Sequence, residues 1–150
     1  MLITDALLGE HGVFHFMLAR IEQSLSALDA LPADASLSAL QQRIVLFAST
    51  LESHASIEDE LLFNALEPHL GIQGGPLTVM RIEHDQITDL LGKIESASDL
   101  ASARALTAQM IQVTRGHFQK EEQALFRMAR QFLSEDELES LGMRWSQRRV

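Results

Sequence analysis

Apolar residues recur every three to four positions along almost the whole chain, which is the period of an α-helix. Strand signals are missing: there is no Tyr, no alternating Val/Ile/Thr run and no Asn-Gly turn. Breakers divide the pattern cleanly. Thr4 or Asp5 can cap a first helix that runs to about residue 29, and Pro32 with the polar stretch 33–36 makes the first connection. A second helix is predicted over about 37–66, with Pro68 helping to end it. Gly71, Gly74 and Gly75 form the next loop, and Pro76 sits where a helix-starting proline belongs. The third helix then runs to about residue 96 and the fourth over about 100–132. Ser134 with Glu137 reads as a capping box for a short helix over about 135–147, whose stripe Leu138, Leu141, Trp145 would dock on the rest. Arg144, Arg148 and Arg149 near its end suit the helix dipole and solubility. Four long helices with short connections predict an all-α, up-down-up-down four-helix bundle with a short fifth C-terminal helix. At 150 residues one domain, 1–150, is expected, with the bundle at about 5–132.

The inward stripes repeat. Helix one gives Thr4, Leu7, His11, Phe14, Leu18, Ile21; helix three gives Leu77, Met80, His84, Ile87, Leu91, Ile94. An offset of 73 relates them (84 − 11), and it also carries Glu10 onto Glu83. Helices two and four are related by 63 (117 − 54): His54 falls on His117, Glu58 on Glu121, Asp59 on Glu122, Leu62 on Leu125 and Phe63 on Phe126. The chain is thus two helical hairpins, each carrying His, then His-x-x-x-Glu, then Leu-Phe.

Polar residues interrupt these stripes where apolar ones belong. His11, His54, Glu58, His84, His117 and Glu121 all point inward, and a buried ionisable group is costly unless paired or bound to a metal. Residues four apart lie one turn apart on one helix face, so each His-x-x-x-Glu aims an imidazole and a carboxylate at the same point. Up-down connectivity brings all four helices to that level, and a nitrogen/oxygen nest results. With 6 His in the chain a single such motif means little, but two in register with two further histidines are hard to assign to chance. His15, one turn after His11, is read as an additional ligand, although its repeat counterpart is Thr88. Glu10, Glu83, Asp59 and Glu122 flank the ligands and suit orientation of the imidazoles rather than ligation. His69 falls in a loop and is read as a surface residue, and Met80, Met110 and Met128 as gap-filling core.

Composition narrows the chemistry. With no Cys there is no disulfide, thiolate site or cysteine nucleophile. The net charge of −9 argues against nucleic acid and anionic membranes. No apolar run reaches transmembrane length, and the N-terminus lacks a basic region before an apolar stretch, so a cytoplasmic location is the default expectation. The donor set His11, His15, His54, His84 and His117 with Glu58 and Glu121 exceeds what zinc uses and is too nitrogen-rich for calcium or magnesium. It suits two ions of iron or manganese bridged by carboxylates.

The pattern His…His-x-x-x-Glu…His…His-x-x-x-Glu resembles the hemerythrin-like, HHE cation-binding family. Glu10-His11, the run 58–63, Gly75-Pro76 ahead of Met80 and Glu83-His84, and Glu121-Glu122 ahead of Leu125-Phe126 carry the likeness over about 5–132. The resemblance implies a non-haem di-iron site in a four-helix bundle, with Glu58 and Glu121 both bridging. It implies two Fe ions with a bridging oxo or hydroxo group, Mn or Zn ranking behind. Two departures stand out. Oxygen-carrying members place paired histidines on the third helix, whereas His11 and His15 are on the first. Such members also end with His and an Asp five residues on, whereas Glu121 is four residues after His117 and Glu122 five. The repeat makes the first departure a mirror image. One iron would take His11, His15 and His54; the other would take His84 and His117 and keep an open position. An apolar wall of Phe14, Phe47, Leu51, Ile87 and Val113 would shelter it.

Members of this family bind or sense oxygen or nitric oxide, handle iron, or assist iron–sulfur repair. With no Tyr or Cys relay, binding or sensing of O2, NO or peroxide at the open position is the favoured expectation. The alternatives are an iron-handling or repair factor, a di-iron enzyme consuming peroxide, and a metal-free interaction bundle. The sequence names no protein partner.

Overall fold

The computed structural model describes all residues, 1–150, and is 89% helical without strands. Helix α1 is Ile3–Ala27, tightening into a 3₁₀ turn at Leu28–Ala30. Helix α2 spans 33–70 as Ala33–Glu58, a π-helical turn Asp59–Phe63, and Asn64–Leu70. Helix α3 is Pro76–Glu95. Helix α4 spans 100–132 as Leu100–Lys120, a second π-turn Glu121–Leu125, and Phe126–Phe132. Helix α5 is Glu135–Arg148. The antiparallel hairpins α1/α2 and α3/α4 pack into the bundle, and α5 lies mainly across α1.

Several helix ends differ from the sequence expectation. Helix α1 begins two residues early, at an uncapped Leu2, so neither Thr4 nor Asp5 caps it. Thr4 is instead buried in the bundle and Asp5 pairs with Arg130 on α4. Helix α2 starts at the residue after Pro32 and runs through Pro68, ending at Gly71, whose φ of 80° only glycine adopts without strain. The capping box of α5 forms as the sequence indicates: the Glu137 carboxylate accepts from the Ser134 N–H at 2.7 Å, and the Ser134 hydroxyl accepts from the Glu137 N–H at 3.2 Å.

Two apolar clusters, of 16 and 15 buried residues, fill the bundle above and below a polar layer. One is centred on Leu18, Leu40, Ile44, Phe47 and Ile94; the other on Leu7, Leu62, Phe63, Leu66 and Leu77. Because the clusters are nearly equal, the polar layer sits near mid-height, where water is most completely excluded. The stripe Leu138, Leu141 of α5 completes the second cluster, with Trp145 packed at its edge. Gly142 lets α5 approach the N-terminus. A Cβ there would lie 3.1 Å from the Met1 carbonyl carbon and 3.2 Å from the Ile3 nitrogen, and closer still to the Met1 carbonyl oxygen.

Candidate metal centre

The polar layer contains His11 from α1, His54 and Glu58 from α2, His84 from α3, and His117 and Glu121 from α4. Five of the six are buried, with 0–2% exposure, and His84 is 12% exposed at its side chain. They form two groups whose ligand atoms lie within 4.8 Å of one another: His11, His54, Glu58, Glu121, and Glu58, His84, His117, Glu121. Both carboxylates belong to both groups. Glu121 Oε2 lies 3.2 Å from His11 Nε2, while its Oε1 lies 2.8 Å from His117 Nε2 and 3.7 Å from His84 Nε2. Glu58 Oε2 stands 3.8 Å from His54 Nε2 and 3.5 Å from His84 Nε2.

The two π-turns explain how one helix face supplies so many inward residues. His54, Glu58, Leu62 and Leu66 follow one another at +4, as do His117, Glu121, Leu125 and Ala129, and all are buried. In a regular α-helix each +4 step drifts about 40° around the axis, so the fourth member would leave the core. A π-turn, with i→i+5 bonds, widens the helix and cancels that drift. The turns begin at Asp59, just after Glu58, and at Glu121 itself. Helical periodicity alone does not predict them, yet the signal is present as two runs of unbroken +4 spacing at repeat-related positions.

A second ring of carboxylates orients the imidazoles. His54 Nδ1 donates to Glu10 Oε2 at 2.6 Å, His117 Nδ1 to Glu83 Oε2 at 2.9 Å, and His11 Nδ1 to Glu122 Oε1 at 3.0 Å. His84 Nδ1 faces Asp59 Oδ1 at 3.6 Å, an ion-pair distance beyond hydrogen-bond reach. Each imidazole therefore leans on a carboxylate from a neighbouring helix, in a pattern that follows the repeat. A proton held at Nδ1 leaves Nε2 with its lone pair turned inward. The outer ring is anchored in turn, which the sequence did not reveal. Glu10 Oε1 accepts from Trp145 Nε1 at 3.1 Å and from Arg149 Nε at 2.7 Å, so α5 buttresses His54. Glu83 pairs with Lys120 on the surface. The basic tail thus does more than end a helix, and Arg148 also pairs with Glu60 at 2.5 Å.

His15 stays outside both groups. Its side chain is 43% exposed and its Nε2 is 3.7 Å from Glu122 Oε1. Position 15 lies about 40° around α1 from His11, on the flank, and the Phe118 ring stands edge-on against it at 5.5 Å. The arrangement with three histidines on one ion gives way to two histidines in each group. His69 is likewise remote, stacked on Phe132. Of the expected apolar wall, Phe14 packs edge-on to His54 with centroids 5.1 Å apart. Two further rings outside that wall also face the imidazoles: Phe118 stacks on His11 at 4.1 Å, and Phe63 on His84 at 5.7 Å.

The groups of this layer stand close enough to shift one another's proton affinities. Burial, reinforced by the facing Glu121, pushes the Glu58 carboxyl up to about 7. Burial acts the same way on Glu121, but the facing imidazoles of His11, His117 and His84 outweigh it and hold that carboxyl well below its usual range. Burial would lower His84, yet Asp59, Glu121 and Glu58 together push it up to about 12. His117 is raised by Glu121 and Glu83 against the same burial cost. Nε2 of His11, His54 and His117, and all four oxygens of Glu58 and Glu121, have no hydrogen-bond partner within the protein. Unpaired buried polar atoms converging on two points are expensive unless a positive ion satisfies them. A sphere of nitrogen and oxygen donors about 2.0–2.2 Å from a transition-metal ion is nearly this wide. The donor set therefore fits a pair of metal ions held by two imidazoles each and sharing two carboxylates.

The family model described as the hemerythrin HHE cation-binding domain matches residues 2–129. No curated protein and no solved structure matches the chain significantly. No helix is long and apolar enough to cross a membrane.

Proposed function

Because the chain belongs to the hemerythrin HHE cation-binding domain family, we propose that its His/Glu layer holds two iron ions and binds a small ligand, O2 or NO, there; with His15 turned away, no histidine count singles out one ion for it. In this reading His11 and His54 hold one ion, His84 and His117 the other, and Glu58 and Glu121 serve both. The observation that supports it most is the pair of four-residue groups sharing both carboxylates, with inward nitrogens and oxygens unpartnered inside the protein. Imidazole and carboxylate donors without thiolate suit iron, with manganese as the near competitor. The ions would supply the ligand-binding and redox chemistry.

The chain's own residues do the rest. Glu10, Glu83 and Glu122 fix the tautomer and rotation of three imidazoles. Phe118, Phe14 and Phe63 keep water from the imidazole faces. No hydroxyl or thiol nucleophile stands in the layer, so binding and sensing are favoured over turnover of an organic substrate. Two tests separate the readings. Metal analysis of protein purified without added metal is expected to give two irons per chain. Anaerobic ferrous protein is then expected to change its visible spectrum reversibly with O2 or NO. Zinc or no metal after ferrous reconstitution would overturn the proposal. Steady consumption of peroxide, or iron passed to an apo-protein, would turn it toward the enzymatic or iron-handling alternatives.

A further inference from the structure

The bundle has two faces where one hairpin meets the other, α2/α3 and α1/α4, and the repeat makes them counterparts. They differ in one respect. Between α2 and α3 a cleft of about 260 Å³ reaches from the surface to His54, His84 and His117. Its walls are narrow residues, Ala48, Ala55, Thr88 and Gly92, over an apolar lining of Leu51, Ile87 and Leu91. The repeat offsets carry these four residues onto Ile111, Phe118, His15 and Ala19 on the opposite face. There each is replaced by something bulkier. Phe118 is fully buried between the two faces, stacked on His11 and also forming part of the floor of the cleft, and His15 stands beside it on the closed side. Above them Arg115 pairs with Glu22 at 2.7 Å, bridging α4 to α1. The counterparts of that pair across the repeat are Glu52 and Glu95. Both line the cleft, and two carboxylates cannot close it by pairing. His84 is correspondingly the most exposed of the four inward histidines, at 12%.

We propose that the α2/α3 cleft is the single way in to the His/Glu layer for a small uncharged ligand. Thr88 and Gly92 set its bore, while Glu52 and Glu95 turn anions away. The inference rests on the ligand-binding reading above. It adds the side from which the ligand arrives, the residues that gate it and the charge it must lack. A diatomic molecule fits the narrow apolar walls. An anion such as azide meets a rim of like charge, and a like-signed field at the mouth of a cleft lowers its rate of arrival.

The test uses variants that keep the fold. A Cβ at Gly92 meets no atom within 4 Å, so Gly92→Leu places a side chain in the cleft without backbone strain. Leucine also favours helix over glycine. Ala19→Leu, its counterpart on the closed face, is the control. Stopped-flow mixing of NO with the ferrous full-length chain should show Gly92→Leu and Thr88→Trp slowing association and release alike, each by about tenfold or more. Affinity should be unchanged, because a gate alters both rates equally. Ala19→Leu should match the wild type. Glu52→Lys with Glu95→Lys should speed azide binding to the ferric protein about tenfold at low salt, an advantage that fades as salt rises, and leave NO unchanged. Unchanged NO rates in the blocked variants, or equal slowing in Ala19→Leu, would overturn the proposal. Crystals pressurised with xenon give a readout independent of iron chemistry. Xenon density in the wild-type cleft and none in Gly92→Leu supports the cavity; a wild-type cleft without xenon overturns it. If the iron-loaded wild type binds neither O2 nor NO, the functional reading fails, and the xenon result still decides the cleft.

Discussion

Glu10 and Glu83 occupy equivalent positions in the two hairpins, yet the structure makes their replacement by glutamine unequal. Glu10 uses both oxygens: Oε2 accepts from His54 Nδ1 at 2.6 Å, and Oε1 accepts from Trp145 Nε1 at 3.1 Å and Arg149 Nε at 2.7 Å. An amide offers one oxygen and one NH2. Turned either way in Glu10→Gln, the NH2 faces a donor. Either the bond from His54 or the two from Trp145 and Arg149 are then lost, at a cost of about 1–3 kcal/mol for each buried group left unpaired. If the loss falls on His54 the imidazole is no longer held, and metal affinity should drop by about 10–100-fold. If it falls on Trp145 and Arg149, α5 loosens and the metal-free protein melts lower. Glu83 differs because its second partner, Lys120, is 57% exposed at its side chain and can turn into water. Glu83→Gln keeps its oxygen on His117 and gives up only a surface pair, about 0–1 kcal/mol. The assay is anaerobic titration of each variant with Fe²⁺ against a competing chelator, alongside thermal unfolding of the metal-free proteins. Glu10→Gln should lose more in affinity, in metal-free stability, or in both. Equal losses, or a larger loss in Glu83→Gln, would refute the argument that α5 supports one half of the site.

Three further outcomes follow from the geometry. His54→Ala with His117→Ala removes two unpartnered Nε2 atoms but also the hydrogen bonds to Glu10 and Glu83 and two buried rings, so the metal-free protein should melt below the wild type. The same variant should lose the stabilisation that ferrous iron gives, about 2.7 kcal/mol at a hundredfold excess over Kd; melting curves with and without iron decide it. Gly142→Ala forces α5 off the N-terminal backbone and should cost about 1–3 kcal/mol in urea unfolding. Since Trp145 is the only tryptophan, emission shifted to the red would report the same movement. Phe118→Ala removes the ring stacked on His11 and should cost about 3–5 kcal/mol. Because that ring also forms part of the cleft floor, its loss should deepen the cleft and speed NO association in an otherwise wild-type chain.

Much of this site was legible because the chain carries the information twice. Helical periodicity and the breakers at Pro32, Gly71 and Pro76 delimit the bundle. Offsets of 73 and 63 place six ionisable residues at one depth, and the structure finds those six together. Sequence suffices there because the inward stripe of a helix is fixed by local geometry and because apolar burial leaves no other place for the stripe to point. The outer carboxylates Glu10, Asp59, Glu83 and Glu122 were legible for the same reason, being neighbours of the inward residues along the helix.

Other features were decided only in three dimensions. His15 stands one turn after His11, but the drift of about 40° in that step leaves it on the flank of the face, 43% exposed. Along 54–66 and 117–129 the same +4 step holds its line, because the helix there widens into π-turns. Which of these happens depends on what the neighbouring helices present. The link from Trp145 and Arg149 to Glu10 crosses 135 and 139 positions of sequence, and nothing local in the chain specifies it. The difference between the two inter-hairpin faces likewise exists only once the Arg115–Glu22 pair bridges one while Ala48 and Gly92 leave the other open. Periodicity determines which residues turn inward. Packing between helices determines which of them meet, which stay wet, and from which side the centre is reached.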